Sequence, residues 1–352
     1  MKRLEQFWSL ADLPREEIVD LLALAERLET EGDRQALAGK ILGLLFFNPS
    51  LRTLASMQAA MAKLGGTSFV VTPGGSSWKL ETGDGVVMDG PASEHVREAI
   101  PVLAGYADVL GVRAFASGTD LAADLADSSF RALAGLSPRP VINLESAIDH
   151  PCQALADWKT LDELGVARHG KLVLSWANHP KALPLAVPAA VLQMAALRGM
   201  ELTVLRPEAY ALPESLLAEA RNLAAGTGGS IRETDERPAA LEGAAIVYAK
   251  SWASAANYGD AEAERTLRAG LAAWCVEESW FENAPGARFM HCLPVRRNVV
   301  VADAVLDSPR SVVVRQAHNR LWAQMAVLHR MLAGVNAGMR QEGATISMKE
   351  TR

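Results

Sequence analysis

Three short segments carry residue types suited to phosphate and carbonyl chemistry. Phe47-Asn48-Pro49-Ser50-Leu51-Arg52-Thr53 follows an apolar run and opens into a helical pattern. Free amides at a helix N-terminus favour an anion. Ser50 and Thr53 add hydroxyl donors and Arg52 adds a guanidinium fork. The segment makes a competent phosphate cradle, although Ser50 also fits a plain N-cap. His150-Pro151-Cys152-Gln153 lies where another strand pattern gives way to a helix. His150 can donate to a carbonyl oxygen that gains negative charge, and the Gln153 amide can orient an NH2 group. The same residues also read as a helix start with Pro151 at its first position.

The third segment, His291-Cys292-Leu293-Pro294-Val295-Arg296-Arg297-Asn298, turns sharply after an apolar run. Its backbone carbonyls suit the hydrogens of an attacking amine. Cys292 has no evident activating partner and is read as a passive wall residue. A basic turn lying in water is the alternative. Arg113, Glu145 and Lys250 each close an apolar strand pattern, where a solvated strand end is the commoner case. Trp78 stands in the Gly/Ser-rich stretch GGSSWKLE, a place for a lid or interface residue.

The elements that must position these residues alternate. Strand patterns fall at 41–47, 67–71, 108–115, 139–146, 171–177, ELTVLRP, 244–250, 287–294 and 311–315. Helical patterns fall after Ser50 and at 93–107, 151–164, ALPLAVPAAVLQMAALRG, 213–225 and about 316–338. This order predicts an α/β fold of two doubly wound parallel-sheet domains. Ligands then bind beyond the carboxyl ends of the strands. The expected divisions are 1–150, 151–315, a C-terminal helix over 316–338 and a flexible tail over 339–352.

The 352 residues suffice for two cores, with 49% apolar and 22% charged residues. A net charge of -6 argues against non-specific nucleic-acid binding, so any phosphate site is a local basic pocket. Three scattered cysteines show neither a zinc spacing nor a disulfide framework. No metal or cofactor is expected. The N-terminus lacks a signal-peptide pattern and no run suits a membrane span, so a cytoplasmic location is expected. A dinucleotide-dependent oxidoreductase would need GxGxxG after a strand; Gly65-Gly66 and Gly74-Gly75 lack that context.

Taken in order, FFNPSLRT, GVR, HPCQ, HCLPVRRN and HNR resemble the aspartate/ornithine carbamoyltransferase family. WKLETGDGVVMDG, YAKSWASAANYGD and FMHCLPVRRN are similar to its N-acylornithine branch, above all the N-succinylornithine type. The resemblance implies a carbamoyl-phosphate domain, an amino-acid domain and a last helix returning to the first. It implies a homotrimer with shared active sites, and carbamoyl phosphate and an N-acylated ornithine as ligands, in arginine biosynthesis. By that likeness Ser50, Leu51 (through its backbone), Arg52 and Thr53 hold phosphate, and Trp78 reaches a neighbouring subunit's site. Arg113, His150 and Gln153 hold the carbamoyl group with Arg320 nearby, while Cys292 and Leu293 present carbonyls. Catalytic roles fall to His150, Arg113 and Thr53. Glu145, His179, Lys250, Leu293 and Arg296 hold the acylated amino acid.

Two departures matter. Leu54 stands where the family loop carries a further arginine, which is the one support for a non-catalytic paralogue. A DxxxSMG-type loop for a free α-amino group is missing, which disfavours free ornithine. Ser93 aligns with the residue that distinguishes acyl groups, glutamate in the N-acetyl enzymes and proline in the N-succinyl ones. A neutral Ser93 spares the free carboxylate of a succinyl group a like-charge clash, although Glu94 is adjacent. Met325 aligns with a carboxylatable lysine of the N-acetyl branch. Succinyl is therefore the expected acyl group, with acetyl as the alternative.

Overall fold

The computed structural model describes residues 3–333. In chain order the first half contains α1 (Arg15–Thr30), β1 (Ile41–Phe46), α2 (Leu51–Lys63), β2 (Thr67–Val71), β3 (Lys79–Glu81), β4 (Ala92–His95), α3 (Val96–Gly105), β5 (Val109–Arg113), α4 (Leu121–Leu125), α5 (Ser128–Gly135) and β6 (Val141–Asn143). The second half contains α6 (Pro151–Glu163), β7 (Lys171–Trp176), α7 (Ala186–Arg198), β8 (Glu201–Leu205), α8 (Glu214–Ala225), β9 (Ser230–Thr234), α9 (Arg237–Leu241), β10 (Ile246–Lys250), α10 (Ala261–Ala269), β11 (Arg288–Met290), α11 (Asp303–Leu306) and α12 (Val313–Leu332).

Two parallel sheets result, ordered β2-β1-β5-β6 and β11-β10-β7-β8-β9. Strands β1, β5 and β7 are continuous apolar runs because helices cover both faces of a parallel sheet. In each sheet the order reverses beside a central strand, β1 and β5 in the first, β7 and β10 in the second. Such switch points open a crevice beyond the strand ends. Every residue of α7 is buried, so its sequence is apolar all round rather than amphipathic. Gly199 ends that helix at φ +87, a left-handed cap that a side chain would strain.

Helix α12 runs from the second sheet back onto α1, α2 and α6. Its buried polar residues Gln316, Asn319 and Arg320 recur at helical spacing and all find partners on α2 or α6. The α/β fold, its parallel sheets and the returning helix follow the sequence expectation.

Several local expectations differ. Residues 311–315 were expected as a strand, but Ser311 makes only an isolated bridge to Phe289 and α12 begins at Val313. The polar stripe facing α6 fixes the helical period, and this overrides the β-branched triplet. The helix expected over 93–107 begins at Val96. Ala92–His95 pairs with β3 instead, and the His95 ring accepts from the Arg97 amide at 3.1 Å to cap α3. Edge strand β9, with its polar residues, was not anticipated. Residues 334–338 of the expected last helix and the tail 339–352 lie outside the described residues. No described helix is long and apolar enough to cross a membrane.

Candidate active site

The first segment forms a capped helix start. Ser50 is extended and its Oγ accepts from the Thr53 amide at 3.2 Å. The amides of Leu51 and Arg52 are left without an intrahelical partner, as at any helix start. The N-cap reading of Ser50 is the one observed, and it leaves the first amides of α2 free. Thr53 is fully buried, and its hydroxyl accepts from Arg320 Nη2 on α12. Leu54 packs its half-buried side chain against the hydrophobic core.

The second cluster sits beyond β5 and β6. Arg113 Nη1 donates to Glu145 Oε2 at 2.5 Å and to the Leu144 carbonyl at 3.3 Å. The guanidinium also lies 4.4 Å from the Phe115 ring centroid. His150 Nε2 is 3.6 Å from the same carboxylate oxygen. Glu145 adopts φ +134, a conformation that costs about 1–3 kcal/mol for a residue with a Cβ. Its surroundings hold it there: its amide donates to Asn143 Oδ1 at 3.0 Å and its carbonyl accepts from Ala114 at 3.1 Å. Asp127 reinforces the loop by accepting from Ser146 Oγ at 2.8 Å and the Ala147 amide at 3.1 Å.

Gln153 follows one turn into α6 and is buried. Its Nε2 donates to Asp157 Oδ1 at 2.8 Å, while its Oε1 is buried with no protein partner. His150 Nδ1 and the Nε atoms of Arg52, Arg113 and Arg320 are likewise buried and unpaired. So many orphaned polar atoms in one place fit a site built to receive polar groups.

In the third segment the His291 amide donates to Gln316 Oε1 at 3.0 Å, and Leu293 N donates to His291 Nδ1 at 2.9 Å. The two arginines of the turn part company. Arg297 pairs with Asp303 and Asp307 in solvent, whereas Arg296 Nε lies 3.2 Å from His179 Nε2.

Electrostatics tie the segments together. Burial pushes His150 well below the usual histidine range, and Arg320, Arg113, Arg52 and Lys250 push the same way. Four cations from α12, β5, α2 and β10 therefore act on one neutral imidazole. Burial also lowers Arg52, which feels Cys292, Arg113 and Glu145. His179 is lowered to about 4 by burial, with Lys250, Arg296 and Arg268 contributing. Burial raises the Cys292 thiol, which leaves it protonated and a poor nucleophile.

Trp78 and Ser93 stand apart from this cluster. Both lie on the exposed β3–β4 arm, with Trp78 59% exposed. Trp78 Nε1 donates to Glu94 Oε2 at 2.9 Å, which occupies the neighbouring carboxylate, while Ser93 is exposed. Sequence reasoning missed Asp157, Gln316 and Tyr248. The available signals were an aspartate four residues after Gln153, and glutamine and asparagine at helical spacing before Arg320.

A family model described as the carbamoyl-P binding domain of aspartate/ornithine carbamoyltransferase matches residues 5–163, and its Asp/Orn binding domain matches residues 187–331. The chain belongs to the aspartate/ornithine carbamoyltransferase family. It is 39% identical over 329 residues to N-acetylornithine carbamoyltransferase of Xanthomonas campestris pv. campestris, covering 92% of this chain and 97% of that one. To N-succinylornithine carbamoyltransferase of Bacteroides thetaiotaomicron it is 36% identical over 319 residues, covering 89% and 95%. Among solved structures, it matches a glutamate-to-serine variant of N-acetyl-L-ornithine transcarbamylase complexed with carbamyl phosphate and N-succinyl-L-norvaline. The TM-score is 0.89 at 38% identity, covering 93% and 99%. As a carbamoyltransferase of this family the chain is an enzyme, and the sequence resemblance holds.

Proposed function

We propose that this carbamoyltransferase moves a carbamoyl group from carbamoyl phosphate to the side-chain amine of N-succinylornithine, giving N-succinylcitrulline and phosphate, as a step in arginine biosynthesis. The observation that carries the reaction is the buried cluster in which Glu145 joins Arg113 and lies 3.6 Å from His150, while Arg320 donates to Thr53. Arg320, Arg113, Arg52 and Lys250 all favour the neutral imidazole. Such a pocket stabilises a dianionic phosphate and an oxyanion together. The Ser50–Thr53 helix start and Arg52 hold the phosphate. Thr53, Arg113 and His150 face the carbonyl oxygen, which becomes negative as the uncharged amine attacks. Gln153 Oε1 accepts from the carbamoyl NH2, and the Cys292 and Leu293 carbonyls accept from the amine. Glu145, His179, Lys250 and Arg296 hold the acylated amino acid. The departing phosphate is the proposed acceptor of the amine proton. Holding both substrates together supplies the entropic share of the acceleration.

In the homotrimer, Trp78 and Ser93 reach a neighbour's site from the exposed arm. Ser93 supports succinyl because it adds no negative charge beside the succinyl carboxylate. The serine variant of the related transcarbamylase, complexed with N-succinyl-L-norvaline, agrees with this. N-Acetylornithine is the second reading, favoured by 39% identity to the N-acetylornithine enzyme against 36% to the N-succinylornithine enzyme. The test is a carbamoyl-phosphate-dependent assay with aspartate, ornithine, acetylornithine and succinylornithine. Succinylornithine should give the highest kcat/KM. A higher value for acetylornithine would replace the acyl group, and no transfer to any acceptor would remove the reaction.

A further inference from the structure

Asp157 lies on α6 one turn after Gln153, behind the proposed partner of the carbamoyl NH2. It is fully buried. Its Oδ1 accepts from Gln153 Nε2 at 2.8 Å and Gln316 Nε2 at 2.7 Å, and its Oδ2 accepts from the Tyr248 hydroxyl at 3.0 Å. Gln316 Nε2 also lies 3.2 Å from the Tyr248 oxygen, and Gln316 Oε1 accepts from the His291 amide. One carboxylate thus joins the first turn of α6 to the segment that begins at His291.

An ionised carboxylate only accepts hydrogen bonds. Both glutamines must therefore turn their NH2 groups towards Asp157. For Gln153 this leaves Oε1 as the group facing outward, and that atom is buried and without a protein partner. An amide alone could rotate and offer either end to a ligand. We propose that Asp157 is a positioning residue that fixes the polarity of the Gln153 amide, so that the site demands an N–H donor on the bound acyl phosphate. The inference rests on the reading of Gln153 as the partner of the carbamoyl NH2. It adds the reason why that glutamine selects a carbamoyl group rather than an acyl group of the same shape.

Acetyl phosphate is the natural probe, because a methyl replaces the NH2 and all else is closely matched. Bound in the wild-type enzyme, it leaves Gln153 Oε1 desolvated and unpaired. The dissociation constant of acetyl phosphate, measured as a competitive inhibitor, should exceed that of carbamoyl phosphate by roughly 10-fold or more. In Asp157→Asn the neutral partner can both donate and accept, so the Gln153 amide is free to turn. Carbamoyl phosphate must then select one of two orientations while a methyl gains from neither, so the ratio of the two constants should fall about 2-fold, and further where the new amide donates to Gln153 Oε1. Gln153→Ala should narrow it at least as much, and the double variant should narrow it no further than Gln153→Ala. A merely structural role would move both constants together and leave their ratio unchanged, and that result would overturn the proposal.

Should Asp157→Asn fail to fold, the wild-type enzyme answers by pH. Burial raises Asp157 to about 6, and Arg320 and the Gln316, Gln153 and Tyr248 donors oppose that rise. The Cys292 thiol also faces it. Once protonated, Asp157 can donate to Gln153 Oε1 and turn the amide round. The ratio should therefore narrow as the pH falls from roughly 7.5 to roughly 5. The phosphate titrations of the two ligands largely cancel in a ratio. A ratio flat across that range would overturn the proposal. If the wild-type enzyme transfers no carbamoyl group at all, the parent reading fails instead, and the two failures are distinguishable.

Discussion

Glu145→Gln tests the electrostatic design of the pocket, because Glu145 contributes a carboxylate among Arg52, Arg113 and Arg320. The change keeps the shape and an acceptor for Arg113, so the 2.5 Å ion pair becomes a bond from a charged guanidinium to a neutral amide oxygen. Losing the charge on one of the two partners costs about 1 kcal/mol. Arg113 also keeps the Leu144 carbonyl and the Phe115 ring. The ligand-free variant should therefore unfold about 1–2 kcal/mol more easily, well short of the 3–5 kcal/mol for a buried ion pair cut outright.

Anion binding should move the other way. One removed negative charge at ~8 Å, in an effective dielectric of ~20, is worth about 2 kcal/mol per unit of ligand charge. Discounting for solvent at the mouth, inorganic phosphate should bind at least ~10-fold more tightly to the variant. Calorimetric titration with phosphate reads this directly. Thermal melts with and without phosphate should show a lower midpoint without ligand and a larger upward shift with it. Phosphate affinity that stays equal or falls would refute the placing of Glu145 within the field of the anion site.

Three further predictions concern other parts of the site. His150→Ala should lower kcat by about 100-fold or more, as for a lost oxyanion donor. Because burial and four cations hold His150 neutral, steady-state kinetics at about pH 6–8 should give the same profile shape for variant and wild type. Ser93→Glu should lower kcat/KM for succinylornithine about 10-fold more than for acetylornithine, read by parallel assays; equal losses would remove Ser93 as the discriminator. Asp149 is held protonated in the fold, raised from 3.8 to about 8 mainly by burial. The fold thus favours the protonated form, so stability contributed at low pH is lost progressively between those two values. Asp149→Asn should accordingly resist urea better than wild type near neutral pH, with the advantage vanishing near pH 4. A variant less stable at neutral pH would show that Asp149 is ionised there.

Much of the scaffold was legible because buried parallel strands announce themselves. The apolar runs of β1, β5 and β7 sit where their patterns placed them, and TSFVV, at a half-buried sheet edge, is still apolar enough to be read as a strand. Strand β9 was not legible, because Ser230, Arg232 and Glu233 lie at a sheet edge where water replaces an apolar partner. The start of α12 was misread because Val312, Val313 and Val314 favour a strand locally, while packing against α6 decides for helix. Ser50, Arg52, Arg113, Glu145, His150 and Gln153 were visible as chemical types at strand ends. Their meeting point was not, since Arg113 and Glu145 come together only through the pairing of β5 with β6. Asp157 was legible only as an aspartate four residues after Gln153. Its partners Tyr248 and Gln316 lie 91 and 159 positions away, and no local pattern carries that information.

The contact between Arg320 and Thr53 spans 267 positions. During synthesis on the ribosome, the helix carrying Thr53 emerges long before its cationic partner has been translated. The contact therefore cannot close until α12 is outside the exit tunnel. A nascent chain stalled short of Arg320 would lack the buried guanidinium beside Thr53 and, on the proposed function, would hold phosphate poorly. Translation of α12 and closure of this contact are thus coupled by topology alone.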